Sequence, residues 1–189
     1  MLIRHNGLFM KLKWVTCPFY LLKVCIRMKQ EKLRLLFVCL GNICRSPSAE
    51  GVMKKLVKES GLEYEIEIDS AGILGIHQGE LPDPRMRKHA SKRGYTLDSR
   101  SRPVKIADFY NFDLIIGMDD RNIQDLKKLA PDLESSAKIR RMSEYLSTHT
   151  YDHIPDPYYG GAEGFELVLD LLEDACTGLL EAISSNRDN

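Results

Sequence analysis

The stretch Leu35-Leu36-Phe37-Val38-Cys39-Leu40-Gly41-Asn42-Ile43-Cys44-Arg45-Ser46-Pro47 constrains this chain more than any other. Its first four residues are an apolar run of strand type. Ser46-Pro47 pairs a good helix N-cap with a proline at the first helical position, where the missing N–H costs nothing. A strand therefore feeds a helix through a tight loop. Backbone N–H groups in such a loop lack helical partners and, with the positive end of the helix dipole, make a cradle for a tetrahedral dianion. Cys39 ends the strand and Arg45 stands at the mouth of the helix, a Cys-x5-Arg spacing. A thiol at the floor of this cradle, beside a guanidinium, is favoured as the thiolate. Cys39 is thus expected to be a nucleophile aimed at phosphorus. Gly41 permits close backbone approach, Asn42 tolerates the left-handed conformation a curled loop needs, and Ser46 can donate its hydroxyl to the sulfur.

The rest of the chain reads as alternating strands and helices. Ala49, Val52, Met53, Leu56 and Val57 recur at helical spacing before Gly61, and Tyr64 to Gly72 reads as a second strand. Residues 73–84 read as loop, Pro84 to Arg93 as a helix stopped by Gly94, Asp113 to Gly117 as a short buried strand, and Asp119 as the cap of a helix running to Leu129. Ala137 to Arg140 is a weak fourth strand, and Phe165, Val168, Leu169, Leu172, Ala175, Cys176, Leu179 and Ile183 form the apolar stripe of a final helix. This alternation implies an α/β fold: a doubly wound, four-stranded parallel sheet with helices on both faces and the phosphate-binding loop after the first strand. Lysine plus arginine and aspartate plus glutamate number 27 each, so no basic excess points to nucleic acid. Five cysteines, an odd number without framework spacing, point to a reducing compartment and hence the cytoplasm. No Cys-x-x-Cys or paired His/Cys cluster suggests a metal, and no cofactor is expected.

Residues 1–30 differ from the remainder of the chain. Their charges are all basic until Glu31, and the apolar part from Trp14 to Ile26, broken by Pro18 and Lys23, falls short of the ~20 residues of a membrane span. They read as an extension to a domain of residues 31–186, either disordered or lying upstream of a true start at Met28; no membrane association is expected.

Displacement at phosphorus also needs a proton donor for the leaving oxygen. Asp156-Pro157-Tyr158-Tyr159-Gly160, a proline-stiffened aspartate beside two aromatics ahead of the last helix, is the candidate. The run from Val38 to Pro47 together with this pentapeptide closely resembles the low-molecular-weight protein tyrosine phosphatases. Asp69-Ser70-Ala71-Gly72 and Met118-Asp119 add weaker support, and the resemblance covers about residues 33–183. It implies that Cys39 forms a cysteinyl-phosphate, Arg45 grips two phosphoryl oxygens, and Asp156 acts first as acid and then as base. It further implies that Ser46 bonds the sulfur, Asn42 holds the loop, backbone N–H groups from Leu40 through Arg45, with Gly41, Ile43 and Cys44 between, bind oxygens, and Leu40, Ile76, Tyr158 and Tyr159 wall a pocket for a phosphorylated phenol. The implied partners are phosphotyrosine proteins or peptides and phosphate, with the chain a monomer or weak dimer.

Two positions depart from the family pattern: Ile76, where many members carry an aromatic, and Ser99, where some carry a histidine behind the loop. His77 reads as a solvated loop histidine. Arsenate reductases resemble this pattern but need two further cysteines in series, and only Cys176 follows Cys44. Protein arginine phosphatases resemble it too, with a threonine where this chain has Ile43. A non-catalytic phosphate-binding module is expected to lack one of Cys39, Arg45 or Asp156, and all three are here.

Overall fold

A computed structural model describes residues 32–158 and 160–187. The readings made of residues 1–30 and of Tyr159 lie outside these. Along the chain run β1 (Leu33–Cys39), α1 (Arg45–Glu59), β2 (Ile66–Gly72), α2 (Pro84–Lys92), α3 (Ile106–Asn111), β3 (Leu114–Gly117), α4 (Asp120–Leu129), α5 (Leu133–Ala137), β4 (Ile139–Arg141), a 3₁₀ turn (Met142–Tyr145) and α6 (Ala162–Arg187). The four strands are parallel in the order β2-β1-β3-β4.

β1 has a strand on either side and helices on both faces, which is why it reads as an unbroken apolar run rather than an alternating one. Successive side chains still part to opposite faces. Leu35 and Phe37 enter a core with Val52 and Met53 of α1, Met86 of α2 and Phe165 and Leu169 of α6, while Leu36 and Val38 enter a second core with Phe109 of α3 and Leu126 of α4. The chain winds outward to β2 on one side of β1 and to β3 and β4 on the other. Loops leaving β1 and β3 therefore diverge, and a crevice opens at their carboxyl ends.

Three local readings need correction. The first helix begins at Arg45, one residue ahead of the proposed cap, and Cys44 at the cap position makes no side-chain capping bond. Ser46 sits inside the first turn because its hydroxyl is committed elsewhere, and Pro47 is tolerated there since that turn's N–H groups have no helical acceptors. The second strand starts at Ile66 rather than Tyr64, whose side chain is exposed in the preceding turn. The fourth strand is Ile139–Arg141, starting two residues and ending one residue later than read. The expected helices at α2, α4 and α6 are present, with Asp83 capping the first and Asp119 the second.

Gly72 shows how closely the sheet supports the first loop. A Cβ there would lie 3.0 Å from the carbonyl carbon of Gly41 and 3.1 Å from the nitrogen of Asn42, so any side chain would push the loop backbone off the end of β2 by a few tenths of an ångström. Among the described residues no helix is long and apolar enough to cross a membrane.

Candidate active site

Residues 40–44 curl over the end of β1, and carbonyls along the curl face outward. Ile73 N donates to the Cys39 carbonyl, Leu74 N to Leu40, Ser101 Oγ to Gly41, Asp83 N to Ile43 and Ser48 N to Cys44. The peptides of the curl are trans, and each N–H points opposite the carbonyl of its own peptide group, so the N–H groups of Leu40, Gly41, Asn42, Cys44 and Arg45 turn to the inside of the curl. One of them is engaged: Asn42 N donates to Cys39 Sγ at 3.3 Å. Asn42 has φ 55°, the only positive value for a non-glycine among the described residues, as its place in a curled loop demands.

Behind the loop a chain of hydrogen bonds runs in one direction. Ser70 Oγ donates to buried Glu50 at 2.6 Å and accepts from Asn42 Nδ2 at 2.8 Å, and the same amide group donates to Ser46 Oγ at 2.9 Å. Ser46 is left to spend its one proton on Cys39 Sγ, 3.0 Å away, or on the Ala71 carbonyl at 3.2 Å. Asn42 Oδ1 accepts from Arg102 N at 3.0 Å, which completes the amide's bonding. The Ser46 hydroxyl and the Asn42 N–H thus converge on Cys39 Sγ. Cys44 is buried in the same loop, and burial together with the Asp83 carboxylate pushes its thiol up. Cys44 therefore stays protonated, and Cys39 is the sulfur placed to react.

Arg45, 3% exposed, joins three segments. Its Nη1 donates to Asp119 Oδ2 at 2.5 Å and to the Ile154 carbonyl at 3.2 Å, and its Nη2 donates to Asp156 Oδ2 at 2.8 Å. Burial opposes the charge, but Cys39, Asp156 and Asp119 together outweigh it and hold the guanidinium above its usual range. Asp119 serves twice, since its other oxygen caps α4 through Asn122 N at 2.7 Å. Asp156 is 41% exposed at the open side.

These groups line one cavity of about 290 Å³, with Cys39, Cys44, Arg45 and Asp156 at its polar end and Leu40, Ile43, Ile76 and Tyr158 among its walls. The structure thus brings together all the sequence-proposed site residues it describes, with Asn42 and Ser46 behind the loop. His77, in the loop that follows β2, also lines the cavity, packs against Gly41 and pairs with Glu80 at 2.8 Å through Nδ1. Sequence reasoning did not give Asp119 its contact with Arg45, and it missed Glu50, Ser70 as a bonding partner and Asp83. The signals for these were the Asp-Pro turn at 83–84, a lone acid on the apolar face of α1, and the runs Asp69-Ser70-Ala71-Gly72 and Met118-Asp119 that also carried the resemblance.

The family model described as low molecular weight phosphotyrosine protein phosphatase matches residues 34–189. A low molecular weight protein-tyrosine-phosphatase of Streptomyces coelicolor is 42% identical over 153 residues, covering 79% of this chain and 93% of that protein. The crystal structure of a protein tyrosine phosphatase from Entamoeba histolytica superposes with a TM-score of 0.80 at 46% identity, covering 82% of this chain and 99% of that one. A drosophila arginine phosphatase is also similar, with a TM-score of 0.75 at 30% identity over 80% of this chain and 98% of that one.

Proposed function

This chain belongs to the low molecular weight phosphotyrosine protein phosphatase family, and from that premise we propose that Cys39, Arg45 and Asp156 hydrolyse phosphotyrosine through a cysteinyl-phosphate. The Cys39 thiolate attacks phosphorus as the bond to the phenolic oxygen breaks, and the Asp156 carboxyl gives that oxygen its proton. Arg45 and the inward N–H groups of the loop bind the equatorial oxygens, where transition-state charge develops. In the second step water attacks phosphorus, Asp156 takes its proton, and the S–P bond breaks. Ser46 then hydrogen-bonds the returning thiolate, and inorganic phosphate leaves.

The observation that carries this reading is that one guanidinium, that of Arg45, reaches both Asp156 and the cradle floored by Cys39. An incoming phosphoryl dianion competes with Asp156 for Arg45, which frees the Asp156 carboxyl to face the leaving oxygen. Ile43 makes one wall apolar, which suits a phenyl ring better than a guanidino group. A cavity of about 290 Å³ accommodates a single side chain. The three described free thiols, Cys39, Cys44 and Cys176, suit a reducing cytoplasm.

The test is hydrolysis of phosphotyrosine, phosphoserine and phosphoarginine peptides side by side with a chelator present. The account expects the phosphotyrosine peptide to be cleaved with kcat/KM at least ~100-fold above the other two, a difference of about 2.7 kcal/mol in transition-state binding. Preference for phosphoarginine would transfer the chain to the other activity seen among its neighbours.

A further inference from the structure

We propose that Arg85 is a positioning residue for the general acid, clamping Tyr158 so that the Asp156 carboxylate is held over the phosphate cradle. This deepens the function proposed above and rests on Asp156 being the acid.

The Arg85 guanidinium carbon lies 5.3 Å from the ring centre of Tyr158 and 5.0 Å from that of Phe165, so the cation is shared by two aromatic rings. Phe165 is buried in the core at the start of α6 and stacks on His89 of α2 at 5.5 Å, a fixed anvil. Tyr158 belongs to the acid loop, and its backbone N–H donates to Asp156 Oδ1 at 3.1 Å. Holding that ring holds the peptide that orients the carboxylate.

Arg85 is itself held by a two-point fork onto Asp83, with Nη2 to Oδ2 at 2.8 Å and Nε to Oδ1 at 3.1 Å. Asp83 N donates to the Ile43 carbonyl at 2.8 Å, so the fork is anchored on the phosphate loop. One continuous set of contacts thus runs from the cradle through Asp83, Arg85 and Tyr158 to the acid. On its other side the acid loop is tied down by Ile154, whose N–H bonds the Met118 carbonyl at 2.8 Å and whose carbonyl takes Arg45. Stability of α2 does not account for an arginine here, because a cation in the first turn opposes the helix dipole. Misplacement of a proton donor by about 1 Å is costly, so a clamp of this kind bears directly on rate.

The experiment measures kcat/KM, which reads the steps through departure of the leaving group and not hydrolysis of the shared intermediate, on p-nitrophenyl phosphate, whose leaving group needs little protonation, and on phenyl phosphate, whose leaving group needs it, for Asp156→Asn, Arg85→Ala, Arg85→Lys and the Asp156→Asn/Arg85→Ala double variant. Arg85→Ala is expected to lose roughly tenfold on phenyl phosphate, a fraction of the ~10²–10⁴ that general acid catalysis supplies, and less than about twofold on p-nitrophenyl phosphate. Inhibition by inorganic phosphate should be unchanged, which also reports that the cradle is folded. Arg85→Lys should fall between, since an ammonium cannot fork onto Asp83 and lie flat between rings. Adding Arg85→Ala to Asp156→Asn should cost nothing more. Equal losses on both substrates, or a further loss in the double variant, would overturn the clamp while leaving Asp156 as the acid. If Asp156→Asn itself lowered kcat/KM alike on both substrates, the acid assignment would fall and the clamp with it.

Discussion

Asn42 shows how much one residue does here. Its backbone takes the left-handed turn, its N–H reaches the sulfur, and its amide fixes the direction of the bonds that bring the Ser46 proton toward Cys39. Arg45 is the second such residue, because a planar fork can serve Asp119 and Asp156 at once while also facing the cradle. An ammonium cannot reproduce that geometry. Arg45→Lys is therefore expected to lower kcat on a phosphotyrosine peptide by roughly 10²–10³, the scale for losing a preorganised charge-stabilising donor. A steady-state assay that found less than a tenfold change would show that charge alone suffices. Residues within one turn of Cys39 were legible in the sequence, since a curled loop uses neighbours. Glu50 and Ser70 were not, because their roles exist only once α1 and β2 are packed.

At the scale of elements, legibility followed length. β1, α1 and α6 carry enough periodic residues to declare themselves, whereas α3, α5 and the 3₁₀ turn, with 6, 5 and 4 residues, are too short to show a period. Asp156 was reached through resemblance rather than pattern: it stands 111 residues from Arg45, and an Asp-Pro turn by itself is only a turn. The segment leading to it is anchored by Asp174 of α6, a buried carboxylate that accepts from the backbone N–H groups of Ser147, Thr148 and His149, from the Ser147 hydroxyl and from the His149 ring. Burial works against its charge, yet the bonds from Ser147 and His149 prevail and hold the carboxyl far below the ordinary range. A depressed carboxyl contributes stability that is full above the unfolded pKa of ~3.9 and declines below it, where the unfolded chain takes up a proton that the folded one refuses. Asp174→Asn should therefore cost about 2 kcal/mol at pH 7, lowering Tm by roughly 4–8 °C. Melting curves should show the gap to the parent protein narrowing from pH 5 to pH 3; a gap independent of pH would mean that the carboxylate's charge is not what matters.

For the whole molecule, the parallel sheet sets where chemistry can occur. Strand order turns at β1, so the carboxyl ends of β1 and β3 deliver Cys39 and Asp119 to the same crevice, and α6 brings Phe165 beneath the loop that carries Asp156. The two cores on either face of the sheet hold those ends in register, and the site needs only loops to complete it. The central claim is that phosphate passes through Cys39. Its most direct measurement is mass spectrometry of Asp156→Asn protein quenched in acid during turnover of p-nitrophenyl phosphate, whose leaving group departs without help from the acid. Hydrolysis of the intermediate slows without its base, so the account predicts one added phosphoryl group on the proteolytic fragment that carries Cys39, absent from Cys39→Ser. A phosphoryl group on any other residue, or turnover by Cys39→Ser at the parent rate, would contradict it.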